Sequence, residues 1–236
     1  MVYRTSAATQ ERKDAKRRHI VETAAKVFAA RGYTGTTVKD IVTAAEVSVG
    51  SFYFYFESKE QIFAALYDAM SDLMNEHVDW AVEGPDQTVS QRFTRATVAC
   101  LKVYEERKEL ARIMMIEATG VTPIFQEKIA EKAAHSRQRT EALLTRLSDK
   151  GLVKVADARV SAIAFEGTFQ TVVTDWLWSQ KETGLIKLAF PLSVFNLQAL
   201  GIPFTAEEVR HYIQDYLANP PTGRVPPQAR SKRKTR

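Results

Sequence analysis

Apolar residues recur along most of this chain at the three- and four-residue spacing of an α-helix. Ile20, Ala24, Val27 and Phe28 form a first stripe, and Gly32 after it is typical of a helix end. A second, longer stripe consists of Ile62, Leu66, Met70, Leu73, Met74 and Val78. No segment alternates in the manner of a strand next to a hairpin signal. The pattern therefore predicts an all-α protein.

Capping residues divide the first part of the chain into short elements. Thr37, with Asp40 three residues later, is a capping box, and the helix after it, "VKDIVTAA", makes about two turns. The break "EVS" ends in Ser48, which can cap the next segment, and Ser58 with Gln61 is a further capping box that opens the longer helix. Three helices with a tight turn between the second and third are the layout of a helix-turn-helix DNA reader.

The aromatic run "FYFYF" at residues 52–56 has two interpretations. As a strand it would carry Phe on one face and Tyr on the other, a platform for single-stranded nucleic acid. As a helix it would bury some rings and expose others. The run lies between two closely spaced helix starts and has no neighbouring strand to pair with, so the helical interpretation is favoured.

The helical phase assigns the aromatic side chains to different faces. At about 100° per residue, "VGSFYFYF" turns Phe52 and Phe56 toward the core, with Val49 beside them. Phe54 points directly away, and one tyrosine lies on each side of it. A large apolar ring opposite the core face is typical of a binding surface, and no structural reason for it is visible in the sequence.

We expect this outward face to enter a major groove of DNA. Tyr53 and Tyr55 would reach phosphates on the two strands, while Ser51 and Phe54 face base edges, the ring against thymine methyl groups. Gly50 would let the backbone come close. The predicted DNA contacts are Thr37, Ser48, Val49, Gly50, Ser51, Tyr53, Phe54, Tyr55 and Lys59. Thr37 lies at the start of a helix whose amides would bind a phosphate, and Lys59 would bind another phosphate through its ammonium group.

The second part of the chain begins after "EGPDQ" at 83–87, the clearest break. Further helices are expected at 88–105, 108–117, 122–150, 157–181, 186–200 and 205–217. Thr122, Asp157 and Thr205 are suitable caps, and Gly151 is a suitable stop. We predict a helix-turn-helix domain at 14–74, a larger helical domain at 75–217, and a basic, proline-containing disordered tail at 218–236.

Charge is unevenly distributed along the chain. The net charge is +5, but residues 1–59 hold ten Lys/Arg and six Asp/Glu, giving +4. Residues 219–236 hold six Lys/Arg and no acid, giving +6, which leaves −5 for residues 60–218. A basic N-terminal part followed by an acidic remainder predicts a polyanionic partner for the N-terminal part alone. An uneven solvated surface without such a partner is the simpler alternative.

Other functional classes lack their sequence signals. Cys100 is the single cysteine and is expected to be a buried small hydrophobe without a disulfide or redox partner. The four histidines lack metal-ligand spacing, and there is no phosphate-binding glycine loop or nucleophile motif. The charged start of the chain does not suit a signal peptide. Lys187, Pro191 and Pro203 interrupt the most apolar late stretch. We therefore expect a cytoplasmic, non-enzymatic protein without cofactor, metal or membrane span.

Residues 23–66 resemble the DNA-binding domain of TetR/AcrR-family transcriptional regulators. The matching motifs are "FAARGY", "TTVKDI", "VSVGSFYFYF" and "SKEQIF", with the family's spacing, and the resemblance extends over roughly 14–74. One position departs from the family pattern, because Glu46 lies in the turn where glycine is usual. If that residue adopts a positive φ, glutamate costs on the order of 1 kcal/mol there. It also brings a negative charge near DNA, which we interpret as tuning of binding.

The resemblance implies a homodimeric repressor of a palindromic double-stranded DNA operator, released by a small-molecule effector. It makes 75–217 the C-terminal ligand-binding and dimerisation domain. It also implies that the late helices form the dimer's four-helix bundle, here 157–181 with part of 186–217. The apolar stripe of 157–181 agrees, because it is too broad for one contact face. A central core helix in a monomer is the alternative interpretation of that stripe.

The effector is expected to be apolar or amphipathic. Candidate pocket residues are Phe93, Met114, Met115, Phe125, Phe165 and Phe169. At helical spacing such residues are more often plain core. The stretch "ARIMMIEATGVTPIF" resembles family members that sense fatty acyl-CoA thioesters, whereas the acidic body disfavours a strongly anionic effector unless Arg112 or Arg137 lies inside. The alternative function is an architectural or partner-controlled DNA-binding regulator without a small-molecule inducer.

Overall fold

The computed structural model describes residues 7–83, 87–117, 123–179 and 184–220, which form helices and connecting turns with no β-strand among them. The N-terminal helices are α1 (Ala7–Arg31), α2 (Val38–Ala44), α3 (Val49–Tyr55) and α4 (Lys59–Ala81). The later helices are α5 (Val89–Glu106), α6 (Lys108–Arg112), α7 (Pro123–Asp149), α8 (Ala158–Trp178), α9 (Ala189–Ala199) and α10 (Ala206–Ala218). The all-α prediction is confirmed.

The predicted caps explain where these helices begin. Thr37 and Asp40 exchange both bonds of a capping box at α2, and Thr205 with its Glu208 partner does the same at α10. At α4 the Ser58 hydroxyl accepts from the Gln61 amide as expected. The reciprocal bond differs, because the Gln61 side chain accepts from the Glu57 amide instead of that of Ser58. Local sequence thus fixes the helix starts, even where one bond moves by a residue.

Two predicted helices are less regular than expected. The segment predicted at 108–117 is α-helical only as far as Arg112 and continues as a π-helical turn over Ile113–Glu117. The segment predicted at 186–200 begins with a 3₁₀ turn, Leu185–Leu188, before α9. Apolar periodicity locates such segments but does not distinguish helix types, because all three bury a similar stripe.

The N-terminal core joins the first four helices into one bundle. It consists of buried residues that include Phe28, Ile41, Phe52, Phe56 and Phe63, together with Val103, Ile113 and Met114 from further along the chain. α4 also runs from Lys59 to Ala81 without interruption. The helix-turn-helix bundle is therefore packed directly against α5 and the π turn. The domain division between 74 and 75, which falls inside α4, stays a prediction.

Two further cores lie in the later helices. The middle core includes Ala81, Leu101, Val173, Trp176, Leu185 and Tyr216. The distal core includes Phe93, Leu144, Ala162, Leu197 and Val209. Arg112 donates to the carbonyl of Leu177 at 3.1 Å and so ties α6 to the end of α8. No helix in the described ranges is long and apolar enough to cross a membrane. Most of the predicted tail, residues 221–236, lies outside those ranges, as does the predicted cap Thr122.

Candidate nucleic-acid interface

α3 is a short helix with a capped start. The hydroxyl of Ser48 accepts from the Ser51 amide at 3.0 Å, and the last turn closes with a bond from the Phe56 amide to the carbonyl of Phe52 at 2.9 Å. The rings of Phe52 and Phe56 are buried, with 0% and 2% of their surface exposed, and their centroids lie 5.9 Å apart. The helical interpretation of the aromatic run is therefore correct, and these two side chains anchor the helix.

The opposite face of α3 is apolar and exposed. Phe54 has 65% of its surface exposed, and Val49 and Tyr53 each have 53%. The expectation that Val49 lies beside the core rings is wrong. It occupies the first turn of α3, at the edge of the bundle, and its side chain extends the exposed patch. Three large exposed side chains on one short helix, a Phe, a Tyr and a Val, are the kind of surface that marks a contact.

The two tyrosines that flank Phe54 differ in availability. Tyr53 is exposed, whereas Tyr55 is half-buried and packs against the N-terminal core. The ring of Tyr55 also meets that of Phe54 edge-on, with centroids 4.9 Å apart. At Gly50 an added Cβ would have no atom within 4 Å, so the free protein does not require glycine there. Only the approach of a partner gives that glycine a role.

The turn between α2 and α3 adopts a conformation that favours glycine. Glu46 has φ +52°, the single positive φ at a non-glycine residue among those described. Its amide donates to the carbonyl of Thr43, and the amide of Val47 donates to that of Val42, which together form a Schellman ending of α2. The left-handed geometry expected at this position is present, and glutamate there has a cost on the order of 1 kcal/mol.

Lys59 has a structural function that sequence reasoning missed. Its ammonium donates to the carbonyls of Tyr33 and Thr36, both at 2.9 Å, and lies 4.2 Å from the centroid of the Tyr33 ring. The same tyrosine donates its hydroxyl to Glu60 at 3.0 Å. Two of the three ammonium donors therefore hold the α1–α2 loop, and the predicted phosphate contact has only the third available. No sequence motif signals this interaction, because its partners are main-chain carbonyls.

A second feature missed from sequence is that α1 lies alongside α3. The Lys13 ammonium lies 5.3 Å from the centroid of the Phe54 ring, and the Arg17 guanidinium lies 5.0 Å from that of Phe56. Nearer the centre of α1, Nε2 of His19 is 3.1 Å from the carbonyl of Ala45 at the end of α2. The signal was present in the sequence, since Lys13 and Arg17 continue the spacing of the buried α1 stripe.

The predicted pocket residues do not form one group. Met114 is part of the N-terminal core, and Met115 packs against the middle core. Phe93, Phe165 and Phe169 form a chain of edge-on rings with centroid separations of 5.5 and 5.2 Å. The Phe125 side chain lies outside the described part of the structure. The described residues of this set therefore pack in different cores, and their role as a ligand pocket stays a prediction.

A polar group lies between α4, α5 and α8. Burial raises the pKa of the Cys100 thiol to about 12, with a smaller contribution from Glu166. Burial also raises the pKa of Tyr104, helped by Cys100, Tyr67 and Glu166. Cys100 and Tyr104 nevertheless keep some accessible surface. Both side chains are therefore closely surrounded by protein without being fully buried.

Glu166 of α8 joins this polar group to α7. One of its oxygens accepts from the hydroxyls of Ser136 and Thr140 at 2.8 and 2.9 Å. Nearby, Lys132 of α7 lies 3.2 Å from Asp68 of α4. Polar bonds thus join α7 to its neighbours along this part of its length. Within the described residues no set of three or more His, Cys, Asp or Glu side chains is arranged to hold a metal ion.

A separate cleft of about 150 Å³ opens between α8 and α9. Its lining residues are Ser161, Ala164, Phe165, Thr168, Phe195, Asn196, Ala199 and Leu200. Asn196 is 3% exposed, and its amide nitrogen has no hydrogen-bond partner among the described residues. Phe195, which lines the cleft, is 59% exposed, and Val160 and Ile163 on α8 are 62% and 49% exposed. Exposed apolar side chains of this size are typical of a contact surface.

Comparison with known proteins agrees with this geometry. The family described as bacterial regulatory proteins, tetR family, matches residues 20–66, from the core of α1 into α4. The probable acrEF/envCD operon repressor of Escherichia coli K12 is 28% identical over 193 residues, covering 79% of this chain and 87% of that protein.

Two solved structures have the same architecture. The fatty acid degradation regulator FadR from Bacillus halodurans has a TM-score of 0.70 at 25% identity, covering 80% of this chain and 97% of that one. FadR from Bacillus subtilis in complex with stearoyl-CoA has a TM-score of 0.67 at 22% identity, covering 77% and 97%. The matched segment contains the capped α2, the Schellman turn and α3 with its outward aromatic face. Residues 20–66 thus belong to the tetR family of bacterial regulatory proteins, and the chain as a whole is similar to TetR/AcrR-family transcriptional regulators.

Proposed function

We propose that this protein is a homodimeric repressor that binds a palindromic operator and is released by a small amphipathic ligand of the fatty acyl-CoA class. The observation that carries the proposal is the exposed face of α3, where Phe54, Tyr53 and Val49 form an apolar patch with no role in the fold. Because α3 is anchored by two buried rings and capped at its start, it presents this patch rigidly. Rigid presentation suits the reading of base edges in a major groove.

In this proposal each α3 enters the major groove of one half-site. Phe54 contacts thymine methyl groups, and Ser51 faces the base edges beside it. Tyr53 donates its hydroxyl to a phosphate on one strand, and Tyr55, which is half-buried, reaches the other strand with less freedom. The amides at the start of α2, beside Thr37, and the remaining donor of Lys59 supply further phosphate contacts.

The exposed face of α8 and α9 supports the dimer. Val160, Ile163 and Phe195 are about half exposed or more, and Trp178 at the end of α8 is 68% exposed. A second copy related by a two-fold axis would cover these side chains with the same face of its own α8 and α9. It would also bring polar groups to the unpartnered amide of Asn196, whose burial without a bond is costly.

The loose packing of α7 supports an effector site between α4, α5, α7 and α8. Of the described α7 side chains from Gln126 to Leu143 none is buried, and Leu144 is the first that is. Phe165 and Phe169 on α8 are also only half-buried. An acyl chain would cover this apolar surface, and the polar group around Tyr104 and Glu166 would meet the thioester end of the ligand.

The π turn at Ile113–Glu117 offers a route from ligand to DNA. Ile113 and Met114 pack in the N-terminal core, whereas the next two residues, Met115 and Ile116, pack against the middle core. A ligand that shifts the middle core therefore moves side chains that support the DNA-binding bundle. A dimer form with altered α3 spacing would then be favoured, and a ligand that prefers it lowers operator affinity.

Selection of bound duplexes from a random library, with the full chain, tests this function. We expect an inverted repeat whose half-site centres are about one helical turn, or 34–36 Å, apart. Titration of the selected operator complex with palmitoyl-CoA should then release the DNA, whereas free CoA should not. Enrichment without a repeat would contradict the dimeric reader, and a complex unaffected by acyl-CoA would favour control by a protein partner.

A further inference from the structure

The first turns of α1 lie beside the DNA-reading face but precede the segment that matches the family, which begins at residue 20. Residues 7–18 hold five Lys/Arg and two Asp/Glu. The five cations are Arg12, Lys13, Lys16, Arg17 and Arg18. Among the described residues neither Lys13 nor Arg17 forms an ion pair with a carboxylate. Their charge is thus available to an outside anion.

Helical geometry directs two of these cations at α3. At about 100° per residue, Arg17 and Ile20 lie within roughly 40° of Lys13 around the axis of α1. Ile20 is fully buried, so Lys13 and Arg17 extend the core-facing stripe of α1 beyond the edge of the core. There they meet Phe54 and Phe56 at 5.3 and 5.0 Å from the ring centroids. Cation–π interactions hold each charge in place without neutralising it.

The position of α1 is fixed at both ends of this stretch. His19 contacts the carbonyl of Ala45 at the end of α2, and Lys13 lies over the outward ring of Phe54 near the end of α3. Lys13 is half-buried, in keeping with a side chain packed on the helix it faces. The two cations consequently border the surface through which Phe54 would enter the groove.

We propose that Lys13 and Arg17 form a phosphate clamp, which binds backbone phosphates of duplex DNA beside the half-site read by α3. This clamp rests on the proposed function, because it assumes that α3 docks in a major groove. Its chemistry is two positive donors on a fixed helix, facing the strand that borders the groove. Since phosphates carry no base identity, the clamp strengthens binding to all sequences alike and leaves the choice of sequence to α3.

The test measures affinity against salt for the full chain on its selected operator. The variant K13Q/R17Q removes both cations of the clamp from each of the two subunits. The slope of log affinity against log salt should flatten by about 0.9 for each phosphate that is no longer neutralised. We expect affinity to fall at least tenfold at moderate salt, with the preferred bases of the half-site unchanged.

The chain offers a matched control of equal charge. Arg12 and Arg18 lie roughly 100° and 140° from Lys13 around the helix, away from α3. The variant R12Q/R18Q should change the slope much less than K13Q/R17Q. Equal changes in the two variants would mean that overall charge, not a placed clamp, is responsible, and an unchanged slope in K13Q/R17Q would also overturn the proposal.

Folding and the assumed function are separated in the same experiment. The charge-keeping variant K13R/R17K should retain the wild-type slope, and thermal unfolding of K13Q/R17Q identifies any loss of structure. If K13Q/R17Q is not folded, the single variants K13Q and R12Q replace the double variants. The salt slope should then flatten more in K13Q than in R12Q. If no specific operator is selected at all, the repressor proposal fails, while the slopes on a nonspecific duplex still test the clamp.

Discussion

The DNA-reading helix and the central part of α8 use aromatic residues in opposite ways. Around α3 the rings of Phe28, Phe52 and Phe56 are almost completely buried, and those of Phe54 and Tyr53 are turned outward. Along α8, Phe165 and Phe169 are half-buried, so part of each ring stays exposed among the described residues. The first region is complete without a partner apart from one exposed patch. The second has surface that a ligand or a second subunit would cover, and its parts can therefore change position.

The largest difference between the regions should appear when one ring is removed from each. Phe52→Ala deletes a fully buried ring and should lower the free energy of unfolding by about 3–5 kcal/mol. Phe169→Ala, the matched change in the half-buried region, should lower the free energy of unfolding clearly less, because its ring is already partly exposed. Urea denaturation followed by circular dichroism gives both values. Equal losses would show that the effector region is as tightly packed as the bundle around α3.

The exposed ring of α3 should affect binding but not folding. Phe54→Ala removes apolar surface that the core does not use, so we expect operator affinity to fall roughly tenfold or more, as for the loss of about 1.5–3 kcal/mol of ring burial. The unfolding midpoint should stay within about 1 °C of wild type, corresponding to a few tenths of a kcal/mol. Fluorescence anisotropy with a labelled operator measures the first quantity. Wild-type affinity in this variant would exclude Phe54 from the groove.

A smaller effect is expected at the turn before α3. Glu46→Gly relieves the left-handed backbone at φ +52° and should raise the free energy of unfolding by about 1 kcal/mol. Glu46→Ala is the control, because it removes the same charge but keeps a Cβ in that conformation. Both variants should bind DNA somewhat more tightly, and only the glycine variant should be more stable. Equal stability in the two would mean that the turn carries no backbone strain.

The change that is smallest at neutral pH concerns the half-buried thiol of Cys100, which affects stability only in alkaline solution. Its pKa is raised to about 12 in the folded protein, against about 8.5 in an unfolded chain. Between these values the unfolded chain holds fewer protons, so the free energy of unfolding falls as pH rises from about 9 toward 12. Cys100→Ala should make that fall shallower, with no change near pH 7. Denaturation midpoints across this range provide the measurement, and a slope unaffected by the substitution would contradict the burial of the thiol.

The sequence predicts most of the fold because its main signals are local. Caps such as Thr37 and Thr205 act within one turn, and the buried pair Phe52 and Phe56 follows from helix periodicity alone. What the sequence does not predict involves residues distant in sequence. The ammonium of Lys59 donates to the α1–α2 loop, Val49 lies at an edge defined by other helices, and the candidate pocket residues are divided among separate cores. Periodicity states that a face is apolar but not which element covers it.

The outward face of α3 is the central feature of the proposed repressor, because it would select the operator by direct contact with bases. Parallel selections from one random library, with the wild type and with Phe54→Ala, test that role most directly. We predict that the wild type enriches an inverted repeat with thymine at a fixed place in each half-site, and that the variant loses the preference at that place while keeping the spacing. The same thymine preference in both selections would contradict base reading by Phe54.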